Sequence, residues 1–396
     1  MKRVTPIALA ALFAIVPLYG TFAALFPAGP GIPPLVPRGL TVAIAFAGLA
    51  ALAAIVPAAI RAGRRDWLTF AFLAPGLATI LAAVTGFDPT LGIGLGAFVT
   101  GLGAAGLVIA READAATIRL CIRTFLWAAL LASLLALAML VTKRPAALYA
   151  FDNGRAVGTF LNPNELAAFT LAGLGLAVPL AVASRGRDRL ATLCAIVLVV
   201  TLGATFSRWG ALSAVIGVAV YALAARARIL LVAAVVVALA GIGLDALAGA
   251  QHHNPRDTEA RAVAWRAGLT TFERFPLLGV GPFAFPRTYD ELRPPDAPGT
   301  TTAVAFDPHS LPIAFAADGG IVAIVTLTVS FGILLRQLLR GARGAAGLPR
   351  ALGFSLAAAL IALLADSAIN TLSLMFPLCL MVTTLGVAVI RTDALR

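Results

Sequence analysis

The side chains able to do chemistry in this chain are few, and they fall in three polar clusters. The first is Asn153-Gly154-Arg155-Ala156-Val157-Gly158-Thr159-Phe160-Leu161-Asn162-Pro163-Asn164-Glu165. The second is the short run Thr205-Phe206-Ser207-Arg208-Trp209-Gly210. The third is a long polar stretch, 251 to 308, that carries Arg261, Trp265 and Arg266 and ends on Asp307-Pro308-His309-Ser310, with Asp318 a few residues on. A guanidinium stays charged at any physiological pH and can grip phosphate oxygens in pairs. An imidazole, with an ordinary pKa of about 6.5, can take a proton from a hydroxyl near neutrality. Each residue also has a plainer reading. Arg208 in a turn between two helices suits a lipid-headgroup anchor, and Arg155, Arg261 and Arg266 suit surface pairs with Asp257, Glu259 or Glu273. His309 suits a helix start, Asn162 a helix cap, and Trp209 and Trp265 an interfacial aromatic belt.

The elements that must position these groups are membrane helices. The chain is 60% hydrophobic and 12% charged, with a mean hydropathy of +0.96, where a soluble domain carries about 25% charged residues. A hydrocarbon core needs roughly 20 apolar residues per helix, and about twelve such stretches can be marked. They run approximately over 5–26, 40–60, 67–84, 90–110, 119–141, 165–183, 190–206, 209–225, 229–250, 309–335, 351–370 and 371–390. None alternates with the period of a barrel strand. The expected fold class is therefore all-α, a polytopic integral membrane protein forming a single domain over 1–396. One long outer loop, 251–308, joins spans nine and ten and carries short helices. The first span, behind Lys2 and Arg3, is too long for a secretory signal and reads as a retained anchor.

Charge gives the orientation. With the N-terminus inside, the inner segments hold Lys2, Arg3, Arg61, Arg64, Arg65, Arg111, Arg119, Arg185, Arg187, Arg189, Arg226, Arg228, Arg336, Arg340, Arg343, Arg350, Arg391 and Arg396. The short outer loops hold only Arg38, Lys143, Arg144, Arg155 and Arg208. By the positive-inside rule both termini are cytoplasmic, and the three polar clusters face outward. The net charge of +12 is thereby spent on span-flanking cations, so nucleic acid is not an expected partner. Cys121, Cys194 and Cys379 all fall in spans and read as small apolar packing groups. His252-His253 with Asp257 or Asp307 would suit a metal, but adjacent histidines in a polar stretch read as loop, and no metal or cofactor is expected.

Within the long loop, Asp257 or Thr258 can cap a helix running to about Glu273. Its period puts Arg261, Trp265, Gly268 and Phe272 on one face and Arg266, Thr270 and Glu273 on the other. The following Phe275-Pro276-Leu277-Leu278-Gly279-Val280-Gly281-Pro282 has little backbone freedom and reads as a membrane-surface plug or a cavity wall.

The clusters, in this order, resemble the O-antigen ligase and O-antigen polymerase family of membrane glycosyltransferases. The matching pieces are Gly158-Thr159-Phe160-Leu161-Asn162-Pro163-Asn164, Ser207-Arg208-Trp209-Gly210, Arg261 with Trp265, Pro276-Leu277-Leu278-Gly279-Val280-Gly281, and His309 followed by Asp318-Gly319-Gly320. They cover about 150 to 335. The family often has His-Asn where this chain has His309-Ser310, and Glu where it has Asp318.

The resemblance implies a GT-C-like fold in a bacterial inner membrane, with the active side periplasmic. It implies transfer of glycan from an undecaprenyl-diphosphate-linked donor to a lipid A core, a protein or a growing polysaccharide, inverting and without a metal. On it, Arg208 and Arg261 neutralise the departing diphosphate and His309 takes the acceptor proton or orients the acceptor. Arg155, Arg266, Asn162, Asn164, Trp265 and Asp318 are the expected substrate-binding residues. A polymerase differs only in its acceptor. A polyprenyl-glycan flippase or secondary transporter is the competing class, but transporters keep ionisable residues at the bilayer midplane, and here the span centres are nearly bare.

Overall fold

The computed structural model describes residues 4–15, 17–18, 38–144, 154–160, 162–225, 256–282, 284–292, 307–370 and 375–392. Among them are thirteen helices and no strand. They are α1 (Val4–Ile15), α2 (Arg38–Ala62), α3 (Trp67–Thr85), α4 (Pro89–Arg111), α5 (Ala115–Thr142), α6 (Pro163–Ala183) and α7 (Arg189–Ala204). Then follow α8 (Arg208–Ala225), α9 (Arg256–Arg274), α10 (Phe285–Leu292), α11 (Leu311–Gly344), α12 (Gly347–Ser367) and α13 (Met375–Thr392). Seven helices are long and apolar enough to cross a membrane, namely α2 from Val42, α3, α4, α5, α6, α11 and α12. Shorter apolar helices are α1, α7, α8 to Ala224 and α13 from Val382. Eleven of the twelve expected spans thus meet a helix, and the ninth, 229–250, lies outside the described residues.

Local chemistry sets where the helices begin. Asp66, Asp88, Asp114, Asn162 and Asp188 stand just before α3, α4, α5, α6 and α7, and each side chain accepts a backbone N–H of the first turn. Those N–H groups have no carbonyl partner within the helix, so a carboxylate or amide oxygen there stabilises the start. The expected span over 309–335 ends early. The α11 helix continues to Gly344, because Arg336, Arg340 and Arg343 need only their charged heads outside the lipid while their stems lie along the helix.

The helices enclose one extended apolar core, with Phe13, Phe125, Phe169, Leu166, Leu198 and Leu360 almost wholly buried. Phe46, Ile60, Trp67, Leu131 and Val182 are exposed on the outside, the pattern of a bundle whose surrounding solvent is hydrocarbon. Cys121 and Cys194 are buried free thiols, as packing groups should be; the Cys379 side chain lies outside the described residues.

One end of the bundle is closed by ion pairs and carbonyl contacts. Arg111 at the end of α4 donates to the Ala62 carbonyl at 2.6 Å, to Thr69 Oγ1 at 3.0 Å and to Asp66. Arg391 at the end of α13 donates to the carbonyls of Arg111 and Ala113, and Arg123 pairs with Asp188 at 2.7 Å. The first turns of α4, α6 and α8 and the last of α5, α7 and α12 lie at the other end, and the polar clusters gather there.

Candidate functional site

The first two polar clusters form one hydrogen-bonded unit. The Ala156 N–H donates to the Ala204 carbonyl at 3.0 Å, which ties the segment before α6 to the turn between α7 and α8. Arg155 Nε donates to the Thr205 carbonyl at 2.8 Å and Nη2 to Asn164 Oδ1 at 3.1 Å. Ser207 Oγ donates to the same Asn164 oxygen at 2.9 Å and accepts from Gly210 N–H at 3.1 Å. Asn162 Oδ1 accepts from Asn164 N–H at 2.9 Å and Glu165 N–H at 3.0 Å, so this side chain caps α6. Arg208, the first residue of α8, is exposed.

The segment 154–160 is not a surface connection. Ala156, Val157, Thr159 and Phe160 are buried, Thr159 Oγ1 donates to the Pro17 carbonyl, and the Phe160 ring stacks at 4.9 Å on Phe169. Non-helical backbone at this depth is tolerated because it is enclosed by protein.

The third cluster is locked to a broken helix. At Gly320 the backbone of α11 leaves helical geometry, with φ 61° and ψ −158°, and the glycine-rich loop after α9 docks into the break. Val280 N–H donates to the Ala317 carbonyl and Gly281 N–H to the Asp318 carbonyl, both at 2.9 Å, while Ile321 N–H donates to the Pro276 carbonyl at 2.8 Å. Two glycines make this possible. Gly279 has φ +64°, and a Cβ there would lie 2.4 Å from the Ala317 oxygen; a Cβ on Gly320 would lie 2.4 Å from the Leu277 carbonyl. The loop's other side meets the α3–α4 turn, where Phe87 N–H donates to the Val280 carbonyl at 2.9 Å and Phe87 and Phe275 meet edge to face. The compact turn expected over 275–282 is clamped between the break in α11 and the α3–α4 turn.

The buried side of α9 holds Ala264, Ala267, Gly268 and Thr271, so it is rotated from the face read from helical period; Gly268 lies in it while Arg261, Trp265 and Phe272 are half-buried. Gly268 abuts Ile313 and Pro308, with a Cβ position 2.5 Å from Ile313 Cγ2, while Ala264 and Ala267 join Phe285, Tyr289 and Ala317 in a second small core. Arg266 and Glu273 are exposed on the opposite side. Trp265 turns its indole inward, and its Nε1 is buried with no hydrogen-bond partner among the described residues. Arg261 lies within electrostatic reach of Asp366, in the last turn of α12. Asp366 is fully buried, and its Oδ1 accepts from Asn370 Nδ2 at 2.9 Å.

His309, just before α11, has φ +51°, a left-handed conformation that costs a histidine roughly 1 kcal/mol. The Asp307 carboxylate holds it there. Its Oδ1 accepts the His309 N–H at 2.6 Å and stands 3.7 Å from Nδ1, leaving Nε2 on the far side of the ring. Asp318 lies within the electrostatic field of Asp307, and its Oδ1 is buried and unpartnered among the described residues.

Residues 193–328 match the family model for the O-antigen ligase. That match supports the O-antigen ligase family for this part of the chain. Arg208, Arg261, Trp265, Arg266, His309 and Asp318 fall inside the matched residues, and Arg155, Asn162 and Asn164 lie ahead of them. Comparison with curated proteins finds no match. The match supports a glycosyltransferase-like function of the ligase or polymerase type in general.

The structure brings Arg155, Asn164 and Ser207 into direct contact and puts Arg208 beside them. It sets His309 against Asp307, with Asp318 within the electrostatic field of Asp307 and Asp366 within that of Arg261. Asn162 serves the backbone, and Arg266 stands away from the α9–α11 contact. Asp366 and Asp307 were missed as site residues. Asp307 had a signal, a carboxylate two residues before the histidine; Asp366 had only its place near the end of an apolar span.

Proposed function

We propose that this protein transfers glycan from an undecaprenyl-diphosphate-linked donor to a hydroxyl of a lipid A core, a protein or a growing polysaccharide, at the periplasmic face of a bacterial inner membrane. The acceptor oxygen attacks the anomeric carbon and forms the new glycosidic bond. The bond from that carbon to the diphosphate oxygen breaks, with inversion. Negative charge grows on the leaving diphosphate, and Arg208 and Arg261 neutralise it; at the edge of a low-dielectric membrane such pairing is stronger than in bulk water. His309 takes the acceptor's proton, on the ring nitrogen turned away from Asp307. The reaction needs no metal, because the two guanidinium groups supply the charge stabilisation.

The observation that carries this reading is the holding of the basic groups by neighbours that leave their chemistry usable. Arg208 follows a serine that caps α8 and is tied to Asn164, Arg261 has a buried acid within electrostatic reach, and His309 is held through its backbone N–H and Nδ1 side. The test is covalent transfer in detergent, with purified protein, an undecaprenyl-diphosphate-linked oligosaccharide and lipid A core acceptor. Wild-type protein joins the two. A flippase, which needs two compartments, gives no product under those conditions, and absence of product with each of the three acceptor classes would reject the proposal.

A further inference from the structure

The hydrogen bonds around Asn164 do something other than present polar groups to a substrate. An amide oxygen has two lone pairs, and both on Asn164 are engaged, one by Arg155 Nη2 at 3.1 Å and one by Ser207 Oγ at 2.9 Å. Arg155 spends its Nε on the Thr205 carbonyl, so this guanidinium spans the turn that leads into α8. Ser207 is used on both sides, its hydrogen given to Asn164 and its oxygen taken by Gly210 N–H. A hydroxyl that donates across to α6 while capping α8 fixes the first turn of α8 in position and rotation. The close approach of the two helices needs the same register, since a Cβ on Gly210 would lie 2.7 Å from Ala167 Cβ.

Arg208 is the residue next to that serine. We infer that Arg155, Asn164 and Ser207 are positioning residues, a brace that aims Arg208 at the donor's diphosphate, and that they act on the donor only through Arg208. The inference deepens the proposed function and rests on it. A side chain as long as arginine loses much rotamer freedom when it binds, and a fixed Cα and helix axis reduce what remains to be lost. The brace also explains why an asparagine serves at 164. A neutral acceptor joins Arg155 to Ser207 without placing a carboxylate charge beside the cation that must receive a diphosphate.

The experiment is binding of undecaprenyl diphosphate, without sugar, to the full-length protein in detergent. It compares wild type with Ser207→Ala, Asn164→Ala, Arg155→Ala and Arg208→Ala, and each brace variant combined with Arg208→Ala. Each brace variant should raise Kd about tenfold, the scale of one hydrogen bond to or near a charged group. In the Arg208→Ala background the same substitutions should change Kd by less than about twofold, since the interaction they serve is gone. Asn164→Asp supplies a second handle if an alanine variant fails to fold. It keeps both hydrogen bonds and adds a charge, so it should weaken binding with Arg208 present and leave it unchanged with Arg208 absent.

Effects that multiply undiminished in the double variants overturn the brace and leave the functional reading standing, as does wild-type Kd in every brace variant. A wild-type Kd for Arg208→Ala sinks the functional reading itself, and the brace with it.

Discussion

Arg261 and Asp366 lie within electrostatic reach of each other, although one belongs to the helix of the long connection and the other to the last turn of α12. The acid is fully buried and its Oδ1 accepts from Asn370, so its fixed place draws the Arg261 guanidinium toward the end of α12. Replacing Asp366 with Asn keeps the volume and removes the ionisable carboxyl. Donor KM should then rise about tenfold with protein yield and unfolding temperature close to wild type, as steady-state transfer assays and thermal unfolding in detergent would report. An unchanged KM would mean that Arg261 finds its place without the acid.

The histidine at the start of α11 depends on Asp307 in a comparable way. Asp307→Ala removes the acceptor of the His309 N–H and the group facing Nδ1. We predict a fall in kcat of about tenfold with donor KM little changed. His309→Ala should lower kcat by roughly 10²-fold or more. If Asp307→Ala instead raises donor KM at constant kcat, the carboxylate serves the donor and not the base.

Gly279→Ala and Gly320→Ala each put a methyl group into the backbone of the other strand of the loop–helix contact, at positive φ. Strain and overpacking together should cost roughly 2–4 kcal/mol. A lowered unfolding temperature in detergent for both is the expected result, with Gly332→Ala, which meets open space on α11, close to wild type.

At the opposite end of the bundle, the Arg111 guanidinium and the Thr69 N–H hold the Asp66 carboxyl down at about 2, against an ordinary 3.8. A folded-state value below the unfolded one adds stability above about pH 4 that disappears as pH falls toward 2. Asp66→Asn should therefore be less stable than wild type at pH 6 and lose less than wild type between pH 4 and pH 2. Parallel curves of unfolding temperature against pH would contradict this.

Much of this was legible in residues alone because it is local. Apolar length marks the helices, Asn162 before Pro163 marks the cap of α6, and the period of 261, 265, 268 and 272 finds Gly268 on the packed side of α9 but is rotated from the buried Ala264, Ala267 and Thr271. The parts that escaped are long-range. Thr159 meets Pro17 across 142 positions, and nothing in Gly158-Thr159-Phe160 announces that the stretch sinks into the core instead of lying on the surface. Asp366 carries no local signal, because Arg261 is on a helix more than a hundred positions earlier, followed by the loop that docks at Gly320. A helix broken at Gly320 by a loop from elsewhere in the chain leaves no periodic trace in either segment.

The account depends on two arginines taking the charge of a departing diphosphate while a histidine takes a proton. Counting undecaprenyl diphosphate released against acceptor glycosylated, in detergent, tests this most directly. Wild-type protein should release one carrier per glycan joined, and Arg208→Ala, Arg261→Ala and His309→Ala should each lower the rate by roughly 10²-fold or more. Wild-type rates from any of the three variants would contradict it.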